Sequence, residues 1–380
     1  MTDPTVHADL SGRATIALID PEARTRAVVE RQIRPFELLD GPPPGTPTLV
    51  VDRAVDPESS LEELQGPATD DTTTATDGER LWLFRGDRRC AIPDATLDDP
   101  ARVTLGAGFD LGGIWRSTVR PALQVAMASA GQAVAAHAAS VTLDGRAILV
   151  AGWSETGKTE VALGLMERGA GFLSDKWTLL GPDGEASAFP ITIGIRRWVL
   201  DYLPTLARSQ TTASRAQFVA ARAASAIMRP VARVGSVTRP TALVTGLLGR
   251  TVGLADRSAY EIADLRAAYG QTDDPTRRAP TGCLVMLVTV PTDRINVADA
   301  DPVWAATRLA RTAAYERRSY LGLLDRGAYL RASAESATDR AIEADQAVLR
   351  GVLPSLRILR VETPFPTDPT RVADAILGAV

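Results

Sequence analysis

Residues 147–176, AILVAGWSETGKTEVALGLMERGAGFLSDK, constrain this chain more than any other stretch. An apolar run, Ala147 to Ala151, leads into Gly152-Trp153-Ser154-Glu155-Thr156-Gly157-Lys158-Thr159, which fits G-x-x-x-x-G-K-[ST] at every fixed position. The spacing suits a strand that turns sharply into a helix and exposes successive backbone N–H groups to an anion. Gly152 and Gly157 supply the backbone freedom that a side chain would forbid. The orphan N–H groups and the dipole of the helix start then add favourable potential for phosphate. On this reading the backbone of 152–159 cradles phosphates, Lys158 reaches the β- and γ-phosphates, and the Thr159 hydroxyl ligates Mg²⁺. Val161, Leu163 and Leu165 give the following helix its apolar content, and Arg168-Gly169 ends it.

Lysine usage draws attention to the same stretch. Lysine occurs only at 158 and 176, so 40 of the 42 basic residues are arginine. A compact ammonium on a flexible stem differs from a planar guanidinium, so its restriction to two positions singles both out. Lys158 is accounted for by the cradle. Lys176 follows the acid Asp175 at the end of the short apolar segment Gly171-Phe-Leu-Ser174, and joins the candidates.

The pattern G-x-S-x-x-G-K-[ST]-E-x-A-L-x-L-x-x-R-G, followed by a strand ending in Asp, resembles the catalytic domain of HPr kinase/phosphorylase and the HPr-kinase-like proteins of bacterial biosynthetic clusters. The matching positions are Gly152, Ser154, Gly157, Lys158, Thr159, Glu160, Ala162, Leu163, Leu165, Arg168, Gly169 and Asp175. The resemblance covers residues 134–200. It implies a histidine one strand upstream of the cradle, where His137 stands, and an acid at Asp175 that would hold Mg²⁺ with Thr159. Where the family carries paired acids, this chain reads Ser174-Asp175-Lys176. The implied fold is α/β, with a P-loop kinase core of the HPr-kinase/phosphoenolpyruvate-carboxykinase type.

The implied activity is ATP- or other NTP-dependent transfer of the γ-phosphate to a hydroxyl, either a Ser of a peptide or protein or a small metabolite. Glu160 would help through the metal's water shell. Arg196-Arg197 form a guanidinium pair that can clamp phosphate oxygens. Asp175 and His137 are alternative bases for the hydroxyl proton, and Lys176 would stabilise transferred charge. Two other readings stay open: nucleotide binding as a regulatory ligand without turnover, and carboxykinase-like chemistry.

The rest of the chain sets the frame. At 380 residues it is long enough for two or three packed domains. Short apolar segments at 14–19, 47–51, 81–84 and 102–105, separated by Pro, Gly and Asp, read as a β-rich accessory domain over residues 1–112, with residues 1–10 loose and 66–79 a loop. A catalytic domain then runs over 113–380, opened by an Ala-rich helix to Gly131 and interrupted by an Arg- and Ala-rich helical insertion at about 205–280. Residues 271–282 read as loop, and Cys283 to Val290 as a strand buried on both faces. Helices are expected from Pro302, over 333–350 and over 369–377, with a strand at 357–361.

A net charge of −4 argues against nucleic-acid binding, which needs clustered positive charge. Cys90 and Cys283 lie far apart without metal spacing, so no disulfide framework is expected, and the compartment indicated is the cytoplasm. No run reaches the ~18 apolar residues of a membrane span. The expected partners are the nucleotide and the hydroxyl-bearing acceptor, with self-association into a homo-oligomer left open.

Overall fold

A computed structural model describes residues 5–53, 62–63, 73–76, 80–85, 88–93, 101–209, 257–330 and 336–380. Within them the chain is a mixed α/β protein with two large mixed sheets and ten α-helices. Of the Arg- and Ala-rich helical insertion expected at about 205–280, residues 210–256 lie outside the described residues.

The first sheet takes nine strands, β1 (Thr5–Asp9), β2 (Thr15–Ile19), β3 (Leu39–Asp40), β4 (Leu49–Arg53), β5 (Glu62–Glu63), β6 (Thr73–Thr76), β7 (Arg80–Arg85), β8 (Arg88–Pro93) and β9 (Ala101–Leu105), in the order β3-β1-β2-β4-β9-β8-β7-β6-β5. Residues 5–9, expected to be loose, form β1 because Val6, His7 and Ala8 are buried against β2. β2 and β4 run parallel. Such a pairing needs a crossover, and the helix Ala23–Gln32 supplies it, with Thr25, Val28 and Val29 turned inward.

The second sheet carries the cradle. Its strands are β10 (Val134–Ala136), β11 (Ala138–Leu143), β12 (Arg146–Gly152), β13 (Gly171–Ser174), β14 (Thr178–Leu180), β15 (Glu185–Ala188), β18 (Arg278–Thr289), β19 (Asn296–Asp299) and β20 (Arg357–Thr363), while β16 (Ile193–Arg196) and β17 (Arg257–Tyr260) form a separate ribbon. β18 extends back to Arg278, so residues 278–282, expected as loop, are strand. The stretch from Gly171 to Leu180 breaks at Asp175-Lys176 into β13 and β14, which pair with different neighbours. β18 lies parallel to both β12 and β20, which brings their carboxyl ends to one edge.

Alternation along these central strands fills two cores. Ile148 and Val150 of β12, with Cys283, Val285 and Leu287 of β18, face one. Ala147, Leu149 and Ala151, with Leu284 and Met286, face the other. The cradle helix Lys158–Glu167 and the helix Pro369–Leu377 cover the first core through Val161, Leu165, Val372 and Ile376. The helices Pro302–Glu316 and Ala337–Val352 cover the second through Ala306, Leu309, Val348 and Leu349. The first core is continuous with that of the N-terminal sheet through the helix Arg120–Ser129, which buries Leu123 and Met127. Cys90 and Cys283 are buried free thiols. Among the described residues no helix is long and apolar enough to cross a membrane.

Candidate functional site

β12 ends at Gly152, a loop crosses 153–157, and the helix Lys158–Glu167 begins at once, so the stretch is strand, tight turn and helix. Gly152 is required by crowding: a Cβ there would sit 2.8 Å from the Leu287 carbonyl oxygen and 2.6 Å from Thr156 Oγ1. Gly157 has φ +92°, in the left-handed region that favours glycine. Glu155 takes a left-handed φ of +64° without that freedom. It is held by Arg196, whose Nη2 donates to Glu155 Oε1 at 2.8 Å. Thr156 Oγ1 donates to the Trp153 carbonyl at 2.9 Å, tightening the turn. Ser154 is half-buried, and Arg197, also half-buried, opens the short helix Arg197–Tyr202.

Lys158 folds back over the loop. Its Nζ donates to the carbonyls of Trp153 at 2.7 Å and Gly152 at 3.2 Å, two bonds for a group with three donors. Burial lowers its pKa to about 8, against the pull of Asp175, Glu316 and Glu160. Thr159 Oγ1 donates to Asp175 Oδ1 at 2.8 Å. Asp175 is buried, and burial raises its pKa while the bonds from Thr159 and the Lys176 backbone N–H oppose that rise. These two side chains present adjacent oxygens of the kind a Mg²⁺ ion takes when most of its other ligands are phosphate and water. Half-buried Glu160 has its pKa raised by burial. Among the described residues no group of three or more His, Cys, Asp or Glu could by itself hold a metal.

The turn after β13 aims opposite charges. Ser174 Oγ donates to the Trp177 carbonyl at 2.6 Å and accepts from the Phe189 N–H at 3.0 Å, which fixes the bend. Lys176 sits there with φ +59°. A bulky residue in that region marks local strain, which concentrates at functional sites. Its Nζ lies 3.7 Å from Glu316 Oε2. His137, in the break between β10 and β11, is buried and stacks on Trp177 with centroids 5.2 Å apart. Its Nδ1 has no partner, and its Nε2 is 4.0 Å from Glu316 Oε1. Burial, then the charges of Lys158 and Lys176, push its pKa well below the ordinary histidine value, so the ring is neutral near pH 7.

Lys158, Thr159, Glu160, Asp175, Lys176 and His137 therefore share one electrostatic neighbourhood, and Arg196 joins it through Glu155. Sequence reasoning missed Glu316, which faces both His137 and Lys176 from the end of the helix Pro302–Glu316. It also missed Tyr315, which stacks on exposed Trp153 with centroids 4.7 Å apart, and Phe365, whose ring would lie 3.1 Å from a Cβ at Gly157. No local spacing signals any of the three. A scan of the sequence against protein-family models finds no match, and none of the curated proteins matches it.

Proposed function

We propose that this chain is an NTP-dependent phosphotransferase with a P-loop kinase core of the HPr-kinase/phosphoenolpyruvate-carboxykinase type, moving a γ-phosphoryl group to a hydroxyl acceptor. One observation carries the reading. The loop 152–157 is backed by a buried ammonium resting on its carbonyls, and its helix start bears a hydroxyl bonded to a buried carboxylate. Arriving phosphates would give Lys158 better acceptors than two neutral carbonyls, because bonds between ionised partners are roughly twice as strong as neutral ones. Thr159 and Asp175 would hold Mg²⁺, which neutralises charge on the β- and γ-oxygens. The exposed face of Trp153 offers a surface on which the nucleotide's base can stack.

In the transfer, the acceptor oxygen bonds to phosphorus as the β–γ bridging P–O bond breaks, and the nucleoside diphosphate leaves. The hydroxyl proton passes to Asp175 or His137, while Lys176 balances charge on the moving group. Placement and charge neutralisation make up most of such catalysis, so few covalent participants are needed.

Lys158→Ala tests this. Turnover at saturating nucleotide should fall about 10²–10³-fold, the scale of removing one preorganised donor. Unchanged turnover would sink the proposal. Isotopically labelled ATP with mass spectrometry of candidate acceptors separates a peptide from a metabolite.

A second reading, nucleotide binding without turnover, is favoured by the Lys176–Glu316 pair, which places a cation where the resembled family has a second acid. Stabilisation by Mg-ATP in a thermal melt, with no product formed from any acceptor, would select it.

A further inference from the structure

A cavity of about 170 Å³ lies where the end of the crossover helix Ala23–Gln32 meets residues 190–192, which follow β15. Its lining includes Arg31, Arg34, Arg116, Arg120, Thr192 and Glu261. Arg31 and Arg34 come from the end of the crossover helix, while Arg116 and Arg120 come from a helical run that contains a π-helical turn, Trp115–Val119. Such turns are frequent at functional sites. Arg34 is neutralised by Glu261, with Nη1 at 3.2 and 3.3 Å from the two carboxylate oxygens. Among the described residues, no carboxylate pairs with Arg31, Arg116 or Arg120.

Arg120 is the telling member. It is only 8% exposed, and its buried Nε has no partner. Burial and the charge of Arg116 lower its pKa to about 10, which still leaves it cationic at neutral pH. A buried, uncompensated guanidinium is unfavourable, and a like charge one turn away adds to the cost. Among the described residues no carboxylate offsets either; a bound oxyanion would offset both, since guanidinium forks match carboxylate and phosphate oxygens. The cavity also approaches the turn that carries Asp175 and Lys176, because its lining residue Pro190 follows Phe189, whose N–H donates to Ser174 Oγ at 3.0 Å.

We propose that this cavity binds an oxyanion, a carboxylate or phosphate group carried by the phosphoryl acceptor, whose hydroxyl is thereby directed toward Lys176, Asp175 and His137. Oxyanion binding stands on the arginines alone; its assignment to the acceptor rests on the phosphotransfer reading. The volume is below the ~300–1,000 Å³ of common ligand pockets, which suits an acid group with a few attached atoms rather than a whole folded partner.

The test is titration of inorganic phosphate into the full chain by calorimetry. It uses the wild type, Lys158→Ala, and Lys158→Ala combined with Arg31→Gln and Arg116→Gln. Both arginines are exposed, so their replacement spares the core, and thermal melts verify folding. Lys158→Ala should keep one phosphate site, and the added arginine substitutions should weaken it at least about tenfold. Competition distinguishes the sources: displacement by methyl phosphate assigns a phosphomonoester, and displacement by acetate assigns a carboxylate. No binding in the Lys158→Ala background, or binding unchanged by the arginine substitutions, overturns the cavity. Loss of the phosphotransfer reading would instead appear as unchanged turnover in Lys158→Ala, whatever the phosphate titration reports.

Discussion

At the residue scale, Lys158 is the group whose chemistry makes the sharpest demand. Its ordinary value of 10.5 is lowered to about 8 by burial, so its charge is lost as pH rises through about 8. Two consequences run in opposite directions. If Lys158 holds phosphate as proposed, nucleotide affinity should be flat below pH 7 and weaken above pH 8, by no more than about tenfold per unit for one proton. The unliganded fold should gain stability between pH 8 and 10.5, because the cost of burying the charge disappears there while the unfolded chain still binds the proton. Calorimetric affinities and denaturant melts across that window check both: affinity constant to pH 10, seen together with the gain in stability, would remove Lys158 from the proposed phosphate site. The motif made Lys158 and Thr159 legible. Glu316 was not, because a carboxylate at a helix end reads as surface charge until the fold turns it toward His137 and Lys176.

At the scale of elements, the cradle helix is held by close backbone approach as much as by its apolar face. A Cβ on Gly164 would lie 2.5 Å from the Pro369 carbonyl oxygen and 2.8 Å from its carbon. Gly164→Ala should therefore destabilise by about 1–3 kcal/mol from overpacking, although alanine has a helix propensity better by about 1 kcal/mol. A denaturant midpoint that rises would show that the two helices can separate freely. Elements with strong periodicity or caps were readable. The helix Pro302–Glu316 starts where Asp301 caps the Trp304 N–H at 2.7 Å, and the helix Pro369–Leu377 is capped by Asp368. Two others were not. β15, with the sequence EASA, carries no large apolar residue, and its burial comes from β14 and β18 on either side. The helix Arg318–Leu330 follows its predecessor across Arg317 alone, so no break in sequence announces it. Arg317 bonds Asp345 in the interior and pins that junction to the helix Ala337–Val352.

Across the whole molecule, the two sheets are joined by polar clamps as well as by the shared core. Arg13, 6% exposed in the turn between β1 and β2, donates to Asp183 at 2.7 and 2.8 Å in the turn between β14 and β15, and to Glu185 at 3.4 Å at the start of β15. Ser11 Oγ adds a bond to the Thr276 carbonyl at 2.7 Å. The acids are partly exposed, so solvent screening limits the worth of the clamp. Arg13→Ala should cost about 1 kcal/mol and speed amide exchange in both turns before it affects the cradle. Exchange unchanged at residues 181–185 would show that the apolar core alone aligns the sheets. That alignment also matters for the arginine cavity, since Arg31 and Arg34 reach it from the first sheet's helix.

The sequence alone determined the tight turn over 153–157, together with the strand before it and the helix after it. Those depend on glycines, an apolar run and a helix stop within one short stretch, all of which act locally. The tertiary structure decided which distant side chains meet there: Glu316 and Tyr315 from one helix, Phe365 from the loop after β20, and arginines from both sheets. Their convergence follows from strand order and register, which are set by long-range burial and leave no periodic trace in the residues themselves.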